Sequence, residues 1–170
     1  MCPKVTADYK SEVREKIIES AIECFAKTGF DRTKMEDIAN IAGVSKGTLY
    51  LYFRSKEDLF YGICQNNLEK IKGQLNDILV TKENLVSDAE KFYDYFQKGD
   101  NRYRNIVILE MSIEASRNSK LRKILMEHQV NRHQVISEFI GLLIKKGFAR
   151  KDIDKDAIAS EPASTSLNCT

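Results

Sequence analysis

The side chains best placed to do chemistry in this chain are hydrogen-bond donors gathered in one short stretch. Ser45, Lys46, Gly47, Thr48, Tyr50 and Tyr52 fall within the run Lys34 to Phe53, K-M-E-D-I-A-N-I-A-G-V-S-K-G-T-L-Y-L-Y-F, and Arg54-Ser55-Lys56 follow at once. A lysine such as Lys46 reaches guanine O6 or N7, and a threonine such as Thr48 bonds a base edge or a phosphate. Tyr50 carries a hydroxyl at the end of a rigid ring, suited to a phosphate oxygen. Lys56 stands where a new helix would begin, so its charge and the helix amides favour the same anion. Gly47 removes a side chain where a backbone must come close. The chemistry these types can do together is recognition of the major groove of double-stranded DNA.

Catalysis and metal binding find no comparable pattern. G-x-S-x-G, P-loop and G-x-G-x-x-G motifs are absent. His128 and His133 are five residues apart, off the i, i+4 spacing that lets two histidines share a metal, and each reads as a satisfied or exposed histidine. Cys2, Cys24, Cys64 and Cys169 show no C-x-x-C spacing, so Cys24 and Cys64 read as buried structural thiols. The expectation is no enzyme, no metal and no cofactor.

Two short helices must position the donors. Thr33 is the expected cap of the first, with Glu36 three residues later in capping-box spacing. Met35, Ile38, Ala39 and Ala42 then recur on one helical face. Gly43 supplies the left-handed residue of a turn. Val44 is an apolar plug, and Ser45 is the expected N-cap of the second helix, whose Leu49, Tyr52 and Phe53 face the core. A recognition helix presents its early residues to base edges. The spacing alone leaves a second reading open, because helix-turn-helix units also occur as plain packing motifs.

The run and its flanks resemble the tetracycline-repressor (TetR) family of transcriptional regulators. Glu15 to Phe30 resembles the family's first helix, with Ala21, Phe25, Gly29 and Phe30 at its A-x-x-x-F-x-x-x-G-aromatic positions. I-A-x-x-A-G-V-S-x-G-T-L-Y-x-Y-F matches from Ile38 to Phe53, and Ser55-Lys56-Glu57-Asp58-Leu59 matches the start of the fourth helix. The match covers about a third of the chain. The resemblance implies a homodimeric regulator, usually a repressor released from a DNA operator by a small-molecule effector. It places DNA contacts at Thr33, Lys34, Ser45, Lys46, Gly47, Thr48, Tyr50, Tyr52 and Lys56. Lys34 departs from the Ser or Thr common there, and a lysine still finds a phosphate. Leu51 lies at a variable position and either touches a thymine methyl or faces solvent.

Bulk charge does not announce DNA. The chain of 170 residues has a formal net charge of +2, and residues 1–60 hold ten basic and ten acidic groups. Between Ile38 and Lys56 there is no acid, while Lys46, Arg54 and Lys56 are basic. A local basic face on a neutral domain still makes phosphate contacts. Lys10 and Arg14 are candidate phosphate contacts or solvated surface. No run of 18 apolar residues and no secretory pattern occurs, so the expectation is cytoplasmic with no membrane partner.

Helical periodicity continues and no strand pattern competes, giving an all-α expectation: an N-terminal three-helix domain with the helix-turn-helix, then a helical regulatory, ligand-binding domain. The boundaries are a flexible arm at 1–10, the DNA-binding domain at 11–59 with its helix-turn-helix at 34–53, the regulatory domain at 60–156 and a disordered tail at 157–170. Helices are expected near 55–80, 84–98, 101–116 and from Ser119 to Lys145. The third is apolar nearly all round and reads as central. Phe92, Tyr93, Tyr95, Phe96, Tyr103 and Met111 would line an effector pocket or form plain core. Glu110 and Glu114 would bind a cationic effector, pair with Arg104 or Arg117, or face solvent. Family members usually continue into two long dimerising helices, whereas Pro162 and the Ser/Thr run after it cannot extend one. Either a natural short variant or a truncated or frameshifted ending accounts for this. The alternative function is a helical ligand-binding or interaction module that keeps the fold without efficient operator binding.

Overall fold

The computed structural model describes residues 7–78 and 100–160, with the side chains of all of these except 78, 100–103 and 105. The described residues form helices and no strand. In chain order these are α1 (Ala7–Thr28), α2 (Met35–Ala42), α3 (Lys46–Tyr52), α4 (Lys56–Ile78), α5 (Asp100–Glu114), α6 (Ser119–Lys145) and α7 (Lys155–Ser160). They fall into two compact units: Met1–Gln65 with Tyr103–Leu125, and Asn66–Arg102 with Met126–Thr170.

The first unit has one apolar core. α1 contributes Ile17, Ile18, Ala21, Ile22, Cys24 and Phe25, all buried at helical spacing. Ile38, Ala39 and Ala42 of α2, Leu49 of α3, Phe53, and Leu59, Phe60 and Ile63 of α4 close over them. Helices of eight and seven residues, the lengths of α2 and α3, are marginal in isolation, so this burial is what holds them. α5 adds Val107 and Met111 to the same core, and Ala115 just after it joins them.

Local signals set the helix ends. Gly43 is left-handed (φ 63°, ψ 34°), and the N–H groups of Gly43 and Val44 close α2 on the carbonyls of Asn40 and Ala39. At α4, Ser55 Oγ accepts from the Asp58 N–H (3.2 Å) while Asp58 Oδ2 accepts from the Arg54 N–H (2.8 Å). Gly147, at φ 75°, follows the end of α6, and the Phe148 N–H returns to the Leu143 carbonyl at 2.9 Å.

Several expectations need correction. α1 begins at Ala7, so residues 7–10 are helix rather than arm, with all four side chains on the exposed surface. The cap of α2 is Lys34 rather than Thr33, because Asp37, not Glu36, accepts the Lys34 N–H (3.2 Å). The cap of α6 is Asn118 rather than Ser119: its Oδ1 accepts from Lys120 and Leu121 at 3.0 and 3.3 Å. α5 is not buried all round. Its Arg104–Val107–Met111 stripe is buried, whereas Leu109 and Ile113 on the other side are each 71% exposed. Residues 155–160 form α7, capped by Asp154 and buried at Ala159, so 157–160 are not tail. The expected helix at 84–98, Phe92, Tyr93, Tyr95, Phe96, the side chain of Tyr103, and residues 161–170 lie outside the described residues.

The second unit contains the later part of α4, with Asn67, Leu68, Ile71 and Leu75 buried, most of α6, and α7. Ser137 donates to Asp156 Oδ1 (2.7 Å) and the His133 ring lies 3.2 Å from the Asp156 carbonyl, fixing α7 to α6. His128 is 3% exposed and its Nδ1 has no hydrogen-bond partner among the described residues, so there it is neither satisfied nor exposed. Burial, with Arg132 next, lowers its pKa to about 4.

Candidate nucleic-acid interface

α3 is oriented by what it buries. Leu49 is fully buried and Phe53, at the helix end, is 2% exposed, so both point into the core. At 3.6 residues per turn, Gly47 and Leu51 then lie opposite Leu49 on the outermost line of the helix. Lys46 and Tyr50 form one flank of that line, and Thr48 and Tyr52 the other. Gly47, Lys46, Tyr50 and Leu51 are exposed, while Thr48 and Tyr52 are half-buried.

Ser45 starts the helix as expected. Its Oγ accepts from the Thr48 N–H (3.0 Å) and shares a hydrogen bond with Thr48 Oγ1 (2.8 Å), which fixes the threonine hydroxyl at the helix entrance. Behind α3, Gly62 of α4 lets the two helices touch: a Cβ there would stand 2.6 Å from Phe53 Cε1. The Arg14 guanidinium lies over the Phe53 ring at 5.3 Å, so Arg14 is committed to packing by a cation–π contact instead of standing free for phosphate.

The charged residues are more tied down than the sequence suggests. Lys46 Nζ donates to Glu36 Oε1 across the α2–α3 surface. The hydrogen bond from Lys46 lowers the Glu36 carboxyl pKa, and the same bond raises that of Lys46. Both groups are solvent-exposed, where such a pair is weak and can exchange for a better partner. Lys56 Nζ donates to the carbonyls of Phe30 (2.6 Å) and Asp31 (3.0 Å) and lies 4.7 Å from the Phe30 ring centroid. It therefore fastens the start of α4 to the α1–α2 loop, and its third proton is the one left for an outside acceptor. Asp37 and Asp58 spend a carboxylate oxygen each on backbone N–H groups, so the acids near this face are occupied.

Of the nine expected contact residues, the structure brings Ser45, Lys46, Gly47, Thr48, Tyr50 and Tyr52 together on α3 and its cap. Lys34 is exposed at the start of α2. Thr33 differs: its side chain is 3% exposed, and its hydroxyl bonds Gly29 O (2.7 Å) and Thr28 Oγ1 (2.6 Å). That hydroxyl braces the α1–α2 loop from inside. Sequence reasoning missed Asp37 and Gly62, and read Arg14 as a phosphate contact or solvated surface, because each acts through a neighbour far along the chain or in place of an adjacent look-alike.

The candidate effector residues separate in the same way. Glu110, Met111 and Glu114 line a cleft of about 380 Å³ with Lys27, Phe30 and Arg32, all within the first unit. Arg104 takes neither glutamate. It is fully buried and pairs with Glu19 of α1. Asn118 bonds Glu57 Oε1 at 3.3 Å. Burial raises the Glu57 pKa, but hydrogen bonds from its own backbone, Ser55 and Asn118 outweigh this and leave it lowered.

Comparison with known proteins agrees with this geometry. Residues 17–62 match the family described as bacterial regulatory proteins, tetR family. The uncharacterized HTH-type transcriptional regulator YfiR of Bacillus subtilis is 29% identical over 150 residues, covering 86% of this chain and 71% of that protein. The HTH-type transcriptional repressor KstR2 of Mycolicibacterium smegmatis is 29% identical over 160 residues, covering 90% and 75%. Two further relatives align over about half of their own length. The structure of FadR from Bacillus subtilis in complex with stearoyl-CoA has a TM-score of 0.63 at 26% identity, covering 85% of this chain and 78% of that one. No described helix is long and apolar enough to cross a membrane. The core-anchored α3, its exposed polar flanks and the family match lead to one conclusion: residues 17–62 form a DNA-binding domain of the tetR type, and the chain is a DNA-binding transcriptional regulator similar to the proteins that carry it.

Proposed function

We propose that this regulator is a repressor that docks α3 in the major groove of an operator and leaves it when a small molecule binds. The observation that carries the docking is the two-sidedness of α3: Leu49 and Phe53 are locked in the core, while Lys46, Gly47, Tyr50 and Leu51 face outward with no internal role in packing. Lys46 exchanges Glu36 for a guanine edge, and Tyr50 and Tyr52 flank the groove. Ser45, Thr48, Lys34 and Lys56 hold phosphates around it, and Thr33 supports the loop behind them. The release reading is supported by FadR, whose structure is a complex with stearoyl-CoA, and by KstR2, named a repressor. Glu110, Met111 and Glu114 remain candidate effector contacts, the cleft they share being their support.

An operator of two half-sites calls for a homodimer, because two-fold protein symmetry sets half-site spacing. The alternative module without operator binding is not favoured, because the relatives are named transcriptional regulators and repressors. Selection of duplexes from a randomised library by the full chain, followed by footprinting in a salt series, tests the reading. A protected pseudo-palindrome is the expected result. Binding that is sequence-blind and erased by moderate salt would sink it. Sedimentation of the chain alone reports the dimer directly.

A further inference from the structure

Leu51 is 85% exposed, the most exposed large apolar side chain among the described residues. A lone exposed leucine is ordinary. This one stands on the outermost line of α3, one turn after Gly47, in the centre of the DNA-facing surface. Helical side chains lean toward the N-terminus, so the leucine side chain reaches back over the glycine.

Gly47 has no internal reason to be glycine. It is not among the glycines with positive φ. A Cβ built on it meets only Ser45 Oγ, at 3.7 Å, which is ordinary contact. Yet glycine is among the poorest residues for a helix, and α3 is only seven residues long. The missing side chain is therefore space kept for something outside the chain. Beside that space stands an apolar wall with no apolar partner.

The geometry points to Gly47 and Leu51 as a notch and wall that seat the C5-methyl group of a thymine, making Leu51 a specificity-determining residue of the operator contact. Thymine is the base that presents a methyl group in the major groove, and apolar side chains read it by contact. Lys46 and Tyr50 on one flank and Thr48 and Tyr52 on the other supply polar contacts on either side of that step. The inference rests on the operator-docking reading above and adds one base identity to it.

The test uses the full chain and the duplex enriched by library selection, with each thymine replaced in turn by uracil, which removes only the methyl. The wild-type chain should lose about fourfold in affinity at one thymine per half-site, the change for one buried methyl-sized group. Leu51→Ala and Leu51→Gln, both at an exposed position, should bind thymine and uracil duplexes equally. Gly47→Ala should fill the notch, weaken binding and also flatten the thymine-to-uracil ratio. The inference is overturned if uracil is tolerated at every position by the wild type, or if the Leu51 variants keep its ratio. A selection that enriches no motif at all would instead overturn the operator reading beneath it.

Discussion

The recognition element and the His128 region of α6 treat polar groups in opposite ways. In α2 and α3, described within the first unit, buried positions are apolar and each nearby acid is given a partner: Asp37 and Asp58 on backbone N–H groups, Glu36 on Lys46. What is left over points outward. In α6, within the second unit, an imidazole is 97% removed from solvent, by its 3% exposure, and one ring nitrogen has no partner among the described residues. Buried polar groups are normally hydrogen-bonded, so such an orphan is a standing cost. One region spends its polarity on fixing a surface, whereas the other stores it inside.

The largest expected effect sharpens the first half of that contrast. Leu49→Ala removes the fully buried plug of a seven-residue helix and should destabilise the first unit by about 2–4 kcal/mol in denaturant unfolding. A loss near zero would mean that α3 is not held by its core face. Acid tests the other region. His128 has a folded-state pKa lowered from 6.5 to about 4, so it is neutral when folded and takes a proton on unfolding. The unfolded state binds more protons across that window, so stability should decline as pH falls from about 6.5 to 4, by at most about 3 kcal/mol. His128→Leu should flatten that limb of the pH–stability curve, and an unchanged slope would break the comparison.

Smaller changes probe the caps and the surface. Ser45→Ala frees the Thr48 N–H and should cost about 1 kcal/mol, read by urea unfolding. Gly47→Ala should do the reverse, raising stability by about 0.5–1 kcal/mol while weakening DNA binding. A variant that gains both would show that the glycine serves nothing outside the chain. Lys46→Ala breaks an exposed pair and should leave the melting temperature unchanged, yet alter base preference in a repeated library selection. Lys56→Ala should lower the salt slope of binding by about one and, because it also frees the Phe30 and Asp31 carbonyls, loosen the α1–α2 loop.

Much of the recognition element was legible in the sequence because its signals are local. Gly43 needs a left-handed backbone, Ser45 caps three residues ahead, and Met35, Ile38, Ala39 and Ala42 repeat at helical spacing; each is decided within one or two turns of chain. Errors arose where near-equivalent neighbours compete. Glu36 and Asp37 are adjacent in the first turn of α2, and Asn118 and Ser119 are adjacent at the start of α6. Which carboxylate or amide reaches the free N–H depends on the start of the helix, and a shift of one residue changes the cap. The apolar α5 misled for another reason. Its nearly all-round apolar composition read as central, but a helix that buries a single stripe leaves the opposite one, Leu109 and Ile113, facing away.

By itself, then, the sequence determined the all-helical class, the turn at Gly43, the cap at Ser45 and the tetR-type domain at residues 17–62, because short-range backbone and capping rules and a dense motif carry them. Only the tertiary structure decided where the charges go. It placed Glu36 against Lys46, drew Lys56 onto the loop carbonyls, set Arg14 over Phe53, buried the Thr33 hydroxyl and joined Arg104 to Glu19. Most of these pairings span many residues, and long side chains choose among partners by distance in space, which no local pattern records.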